Sequence, residues 1–179
     1  MPKKTIAILH KLLKGKKTPD VVAVQLRDTR VCFDFELDGL AVTIMSKLID
    51  GTFPDYNRVI PKCNDKIADF DVATFGEALR AVSLVASQKG RAVKLELANN
   101  AAQLTVSNPD AGTANATIEC CYNSPEFTIG FNSQYMAELI AVACPDGGVL
   151  TAAFDDARSP TVFTGSIEGW TGVLMPMRV

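Results

Sequence analysis

An α+β fold of repeated strand–helix–three-strand units, with helices on one face and antiparallel sheets on the other, is predicted by three observations. Amphipathic helical periodicity occurs three times along the chain. Each helical stretch is followed by three short runs of β-branched, partly alternating residues. The whole pattern recurs about every 60 residues, which marks an internal repeat and a pseudosymmetric assembly.

The first helix is read over residues 3–14, where Ile6, Leu9, Leu12 and Leu13 recur between lysines and Gly15 ends the pattern. Its apolar stripe requires a sheet, and runs 21–26, 31–37 and 40–47 supply three strands separated by Asp28-Thr29 and Asp38-Gly39 turns. Gly51, Pro54 and Pro61 then interrupt regular structure. The second half of 46–66 is therefore a linker, with a boundary near 61–66 that separates domains 1–60 and 61–179. A lead-in strand over 66–70 precedes a helix over 72–86, striped by Phe75, Leu79, Val82 and Val85. Strands near 92–97, 103–107 and 114–121 follow, turning at Asn99-Asn100 and Asn108-Pro109. Residues 126–131 repeat the lead-in strand and 133–143 the helix, through Met136, Leu139 and Ile140. Strands near 148–154, 161–166 and 172–176 close the chain. The first of these units lacks its leading strand.

Composition narrows the function classes. With 179 residues, 47% hydrophobic, 21% charged and a mean hydropathy of +0.14, the chain is an ordinary globular sequence. A disordered tail, a collagen-like repeat and a disulfide miniprotein are excluded. No run approaches the roughly 20 apolar residues of a membrane span. Met1-Pro2-Lys3-Lys4 lacks the apolar stretch of a secretory signal, so a cytoplasmic location and no membrane partner are expected. Five cysteines, Cys32, Cys63, Cys120, Cys121 and Cys144, form no C-x-x-C pair and read as reduced, mostly buried small hydrophobes.

Charge is unevenly distributed. Residues 1–66 hold 12 Lys+Arg against 8 Asp+Glu, a net +4, whereas 67–179 hold 6 against 12, a net −6. Lys3, Lys4, Lys11, Lys14, Lys16 and Lys17, with His10, meet no acid in the first 17 residues. Such a run is either a solvated helix face or a contact for a phosphate backbone.

Catalytic constellations are missing. His10 is the only histidine, which removes His-x-x-x-His zinc sites and most Ser/His/Asp arrangements. Asp155-Asp156 reads as a turn. No G-x-x-x-x-G-K or G-x-G-x-x-G stretch supports nucleotide binding. Adjacent Cys120 and Cys121 in a strand point to opposite faces, which suits neither a metal nor a disulfide. No catalytic residue, metal or cofactor is assigned.

Five ordered stretches are more specific: SKLIDGTFPDYNRVIP at 46–61, RAVSLVASQKGRAVKLEL at 80–97, SNPD at 107–110, IGFNSQYMAEL at 129–139 and VLMPMRV at 173–179. In order and spacing they resemble the bacterial DNA polymerase III beta subunit, the sliding clamp. The resemblance covers essentially the whole chain and corresponds to the second half of that family's middle domain followed by its complete last domain. It implies the DNA clamp fold and a non-catalytic processivity factor of DNA replication that tethers polymerase III to double-stranded DNA. The alternative is a truncated paralogue or fragment that docks partner peptides without encircling DNA.

The resemblance also implies sites. An apolar groove accepts short Q-L-x-L-F-like peptides from polymerase III, the clamp loader and repair proteins. Its matching positions are Pro54, Arg58 and Val59, Asn132 and Tyr135, and Val173, Met175, Pro176, Met177 and Arg178. Adaptable methionines beside a proline and an aromatic ring suit such a slot, and the alternative for Met175 and Met177 is core at a strand end. Arg158 stands where the family has a small or apolar groove wall. Lys3 and Lys4 match a DNA-facing basic pair, Lys11 and Lys14 share that helix by spacing, and Arg80 is a further candidate. Their contacts are expected to be weak, salt-sensitive and independent of base sequence. Leu84 and Val85 match an apolar subunit contact. The edge segment DAGTANATIE at 110–119 keeps only Asp110 and Glu119 of an acidic interface, so the usual head-to-tail ring is not expected. Self-association through residues 1–60 is expected instead, as a possible homo-oligomer.

Overall fold

A computed structural model of the chain describes residues 1–15, 18–87 and 90–179; Lys16 and Lys17 of the basic run, and Gln88 and Lys89, lie outside the described residues. Two compact units are present, Met1–Pro54 and Asp55–Val179, so the division falls upstream of the boundary read from the sequence.

The first unit contains helix α1 (Lys3–Leu13) and a three-stranded antiparallel sheet, β1 (Ala23–Arg27), β2 (Arg30–Leu37) and β3 (Leu40–Lys47), in sequential order. Leu9, Val31 and Phe35 are its buried apolar residues. A hydrogen bond of 2.8 Å between Thr5 Oγ1 and Ser46 Oγ ties α1 to β3. Contrary to the stripe read from the sequence, Ile6 is exposed: it lies to one side of the arc through Thr5, Leu9 and Leu12 that faces the sheet.

The second unit holds two complete repeats. The first runs β4 (Lys66–Asp71), α2 (Val72–Ser83), β5 (Ala92–Ala98), β6 (Ala101–Asn108) and β7 (Gly112–Glu119). After the two-residue strand β8 (Cys121–Tyr122), the second runs β9 (Phe127–Asn132), α3 (Ser133–Ala143), β10 (Val149–Phe154), β11 (Thr161–Thr164) and β12 (Gly172–Leu174). The lead-in strands are exchanged between the repeats. Strand β9 of the second pairs with β5 of the first, giving the sheet β7-β6-β5-β9, while β4 of the first pairs with β10 of the second, giving β12-β11-β10-β4-β8. Neither half completes its sheet without the other.

Strict alternation builds the core. Val93, Leu95 and Leu97 of β5 and Ala102, Leu104 and Val106 of β6 all turn inward, 0 to 3% exposed. Rings bridge the two sheets: Phe127 lies 5.3 Å from Phe154, and Phe131 meets Phe163 edge-on at 6.1 Å. Phe75 of α2 stacks on Phe70 of β4 at 4.7 Å. Asn64 Nδ2 donates to the carbonyls of Ala153 and Pro160, at 2.7 and 3.0 Å, and anchors the segment before β4.

Three details differ from the sequence reading. Residues 114–121 are not one strand, because the chain leaves one sheet at Cys120 and enters the other at Cys121. Asn100 directs this switch: its carbonyl accepts the N–H of Cys120 at 2.9 Å and its Oδ1 that of Tyr122 at 3.0 Å. Both Asn99 and Asn100 adopt positive φ, 50° and 59°, as asparagine tolerates. Secondly, α2 ends at Ser83, whose hydroxyl bonds back to the Leu79 carbonyl at 2.6 Å, so Val85 lies beyond the helix. Thirdly, of the five cysteines only Cys120 and Cys144 are buried; Cys63 and Cys121 are exposed.

Candidate functional site

Two of the three groove segments named by the resemblance meet at β9. Gly130 in that strand forms an antiparallel bridge with Met177, whose N–H donates to the Gly130 carbonyl at 2.7 Å. Gly130 is buried, and a Cβ placed on it would lie 2.3 Å from Val179 Cγ1 and 2.6 Å from the Met177 carbonyl. Glycine is thus what lets the C-terminal tail approach β9 closely at this point. Val173, upstream in β12, pairs with Val162 of β11 and is half-buried.

Just after Gly130, Asn132 caps α3. Its Oδ1 accepts the N–H groups of Gln134 and Tyr135, at 2.9 and 3.2 Å. The cap fixes the first turn of α3 and leaves the Tyr135 ring 57% exposed. Met175 is 58% exposed, which removes the strand-end-core alternative for that residue, whereas Pro176 and Met177 are half-buried and Arg178 is exposed. The tail therefore presents an exposed thioether and an exposed cation, and the fixed start of α3 an exposed aromatic ring, groups able to take an apolar peptide side chain.

The third segment is built separately. Arg58 lies in a short 3-10 turn, Tyr56–Arg58, capped by Asp55, whose Oδ1 accepts the Asn57 N–H at 3.2 Å and whose Oδ2 pairs with Arg58 Nε at 3.3 Å. These bonds are local to the turn, and Arg58 and Val59 are exposed. Pro54 is exposed at the end of the first unit. Arg158 is exposed in the turn after β10, where Asp156 Oδ1 accepts its N–H and that of Ser159, both at 2.6 Å. Those bonds hold the Asp156 carboxyl below the usual carboxylate range. Asp155-Asp156 is thus a turn, and no group of acids, cysteines and histidine suited to a metal occurs among the described residues.

The DNA-facing candidates lie on both units. On α1, Lys3, Lys4, Lys11 and Lys14 are exposed and fall within an arc of about 100° opposite Leu9, as 3.6 residues per turn requires. On α2, Arg80 borders a cleft of about 760 Å³ between α2 and α3, together with Gly76, Ser87, Arg91, Ala137 and Cys144. Arg91, missed by the sequence reading, donates to Gln134 Oε1, and Gln134 Nε2 donates to Glu138 Oε1 at 2.9 Å. Its positive φ of 47° and its place beyond the helix hid it from any periodic pattern. For the subunit contact, Leu84 caps α2 and is 85% exposed, while Val85 packs against the core and its carbonyl accepts Asn108 Nδ2 at 2.9 Å. Leu84 is thus open to solvent and Val85 half-buried. Strand β7, which carries the residues of the 112–119 segment, is an edge strand.

Comparison with known proteins places this geometry. Residues 57–178 match the family model "DNA polymerase III beta subunit, C-terminal domain". The beta sliding clamp of Caulobacter vibrioides is 36% identical over the whole chain, and that of Escherichia coli K12 28% identical. Among solved structures, Caulobacter crescentus pol III beta superposes with a TM-score of 0.89 at 37% identity, covering all of this chain and 46% of that one. The sliding clamp of Bartonella birtlesii bound to griselimycin superposes with a TM-score of 0.88 at 35% identity. The chain spans less than half the length of these relatives, 46 to 47%. The fold is the DNA clamp fold, and the chain belongs to the DNA polymerase III beta-subunit family, with residues 57–178 forming its C-terminal domain.

Proposed function

We propose that this chain acts as a non-catalytic processivity element of DNA replication, holding DNA polymerase III and related partners through a peptide groove at its C-terminus. The observation that carries the reading is the pairing of Met177 with Gly130, which brings the tail beside the Asn132-capped start of α3. Arg58 and Val59 complete the groove in this reading, and Met175, Tyr135 and Val173 offer the apolar lining. Arg178 and Arg58 orient the polar groups of a bound peptide. The lysine arc of α1 and Arg80 contact the duplex through its phosphates, without reading bases. The chain performs no chemical step; it raises the local concentration of a bound polymerase on DNA.

A second reading is peptide docking at the same C-terminal groove without encirclement of DNA. Titration of a fluorescent Q-L-x-L-F peptide by anisotropy tests the groove common to both. Saturable binding is expected, weakened at least about ten-fold, or about 1.4 kcal/mol, when Met175 and Met177 are both changed to Ala. Unchanged affinity in that double variant rejects the groove. A polymerase extension assay on primed circular DNA then separates the two: longer products with the chain present support tethering, and unchanged product length supports docking alone.

A further inference from the structure

The two sheets of the second unit differ on their outward faces. In β7-β6-β5-β9 the register sets Thr128, Glu96, Gln103 and Thr117 in one row, and Lys94, Thr105 and Asn115 in the next. These residues alternate with buried Leu95, Leu104 and Ile118, so they point away from the core. They are polar, as the wet side of an antiparallel sheet usually is. The other sheet departs from that pattern. There Ile67 of β4 lies opposite Ala153 of β10, Ala153 opposite Val162 of β11, and Val162 opposite Val173 of β12. Their strand neighbours Ala68, Ala152, Phe154 and Phe163 are at most 1% exposed, so this row also points outward. Ile67 is 45% exposed and the other three are half-buried.

A continuous apolar row thus crosses four strands, a length of about 14 Å at the usual strand spacing. Cross-strand pairing alone does not call for it, because threonines serve that purpose in the row beside it, where Thr151 lies opposite Thr164. The two ends of the row differ. One is Val173, a lining residue of the proposed groove, with Met175 two residues further along the chain. The other is acidic: Asp65, Asp69 and Asp155 each stand two residues from Ile67 or Ala153, against the one amine of Lys66. Lys66 pairs with Asp65 at 3.0 Å, and Asp69 accepts the Thr151 hydroxyl at 2.6 Å, so this end keeps a net negative charge.

We propose that the row extends the groove for a longer linear peptide, which leaves the Val173 end, lays two alternate apolar side chains along Val162, Ala153 and Ile67, and ends on a basic residue beside Asp69 and Asp155. Four residues in extended conformation, at about 3.3 Å each, cover the row. The flank that fits is therefore apolar-x-apolar-basic. The extension rests on the groove reading and adds a choice among peptides that share one core motif: the apolar positions supply contact, and the acidic end rejects a flank of like charge.

Anisotropy titration of the full chain compares a short Q-L-x-L-F peptide with two longer ones, which carry Val-Ser-Val-Lys on the N-terminal or the C-terminal side. One of the longer peptides is expected to bind at least ten-fold more tightly than the short one. Ile67→Lys is expected to remove that gain and to leave the short peptide's affinity unchanged, since Ile67 stands outside the groove. Longer peptides that bind no better than the short one, or a gain that survives Ile67→Lys, overturn the extension while the groove stands. No binding by any of the three rejects the groove reading, and the extension falls with it. Should the variant fail to fold, photo-crosslinking on the unaltered chain reads the same contact. With benzoylphenylalanine in place of the second valine of the tighter peptide, attachment is expected on β4 or β10, and attachment only elsewhere overturns the extension.

Discussion

Met177 donates its N–H to the Gly130 carbonyl at 2.7 Å, and this one bridge lays the C-terminal tail on β9, two residues before the cap of α3. The tail has no room for a side chain beneath it, because any Cβ at Gly130 would fall 2.3 Å from Val179 Cγ1. Gly130→Ala is therefore expected to lift the tail, lowering stability by about 1–3 kcal/mol, as overpacking in a closed site does. Thermal melting measures that loss. Peptide affinity is expected to fall in the same variant while the core fold, followed by far-ultraviolet circular dichroism, persists.

Asn132 links the fold to the proposed groove through its cap on α3. Asn132→Ala leaves the Gln134 and Tyr135 N–H groups without their acceptor and is expected to cost about 1 kcal/mol in urea unfolding. Asn132→Asp, which keeps the cap, is expected to retain most of that stability.

The lysine arc on α1 sets a salt dependence. If Lys11 and Lys14 each neutralise one phosphate, changing both to Ala lowers the slope of log K against log salt by about 2, taking roughly 0.9 per contact on duplex DNA. The weakening should be the same on unrelated duplex sequences. A slope unchanged by the double variant removes these lysines from the contact.

Acid sensitivity follows from Asp71. Its carboxylate accepts the N–H and hydroxyl of Thr74, at 2.9 and 2.7 Å, and these bonds hold it below the ordinary value of 3.8. The folded state thus favours the ionised form. The contribution is complete above the unfolded value and is lost as pH falls through the lower folded one. Asp71→Asn keeps a capping oxygen but does not titrate, so the acid limb of stability against pH is expected to flatten in that variant.

Thiol reactivity separates the cysteines. Cys63 and Cys121 are exposed, whereas burial, with the neighbouring Cys121 adding to it, pushes the Cys120 thiol from 9.0 up to about 11. A chromogenic disulfide at neutral pH is expected to label Cys63 and Cys121 quickly and Cys120 and Cys144 only on unfolding. Because the folded state favours the neutral Cys120 thiol, its contribution is present below pH 9 and fades as pH rises from about 9 through 11.

Local pattern was legible where burial follows period. Helix α3 over Ser133–Ala143 and strand β3 over Leu40–Lys47 have the bounds read from the sequence, since an apolar residue every third or fourth, or every second, position is what one buried face requires. The sheet switch at Cys120 was not legible. Alternation continues across it, with Ile118, Cys120 and Tyr122 all buried, and only Asn100, about twenty positions earlier, shows where one ladder ends. In the candidate site, Met175 and Tyr135 were visible as residue types, but their exposure, and the meeting of the tail with β9, are facts of packing.

The sequence by itself determined the repeated strand–helix–three-strand units, the lysine arc on α1 and the five ordered stretches of the beta-subunit family, because each rests on residues near one another along the chain. Only the tertiary structure decided which strand completes which sheet: β4 leaves its own repeat for β10, and β9 leaves its own for β5. Strand pairing is made between residues tens of positions apart, by backbone groups that every sequence shares. The side-chain pattern sets which face of a strand is buried, and the long-range packing of the chain selects the partner.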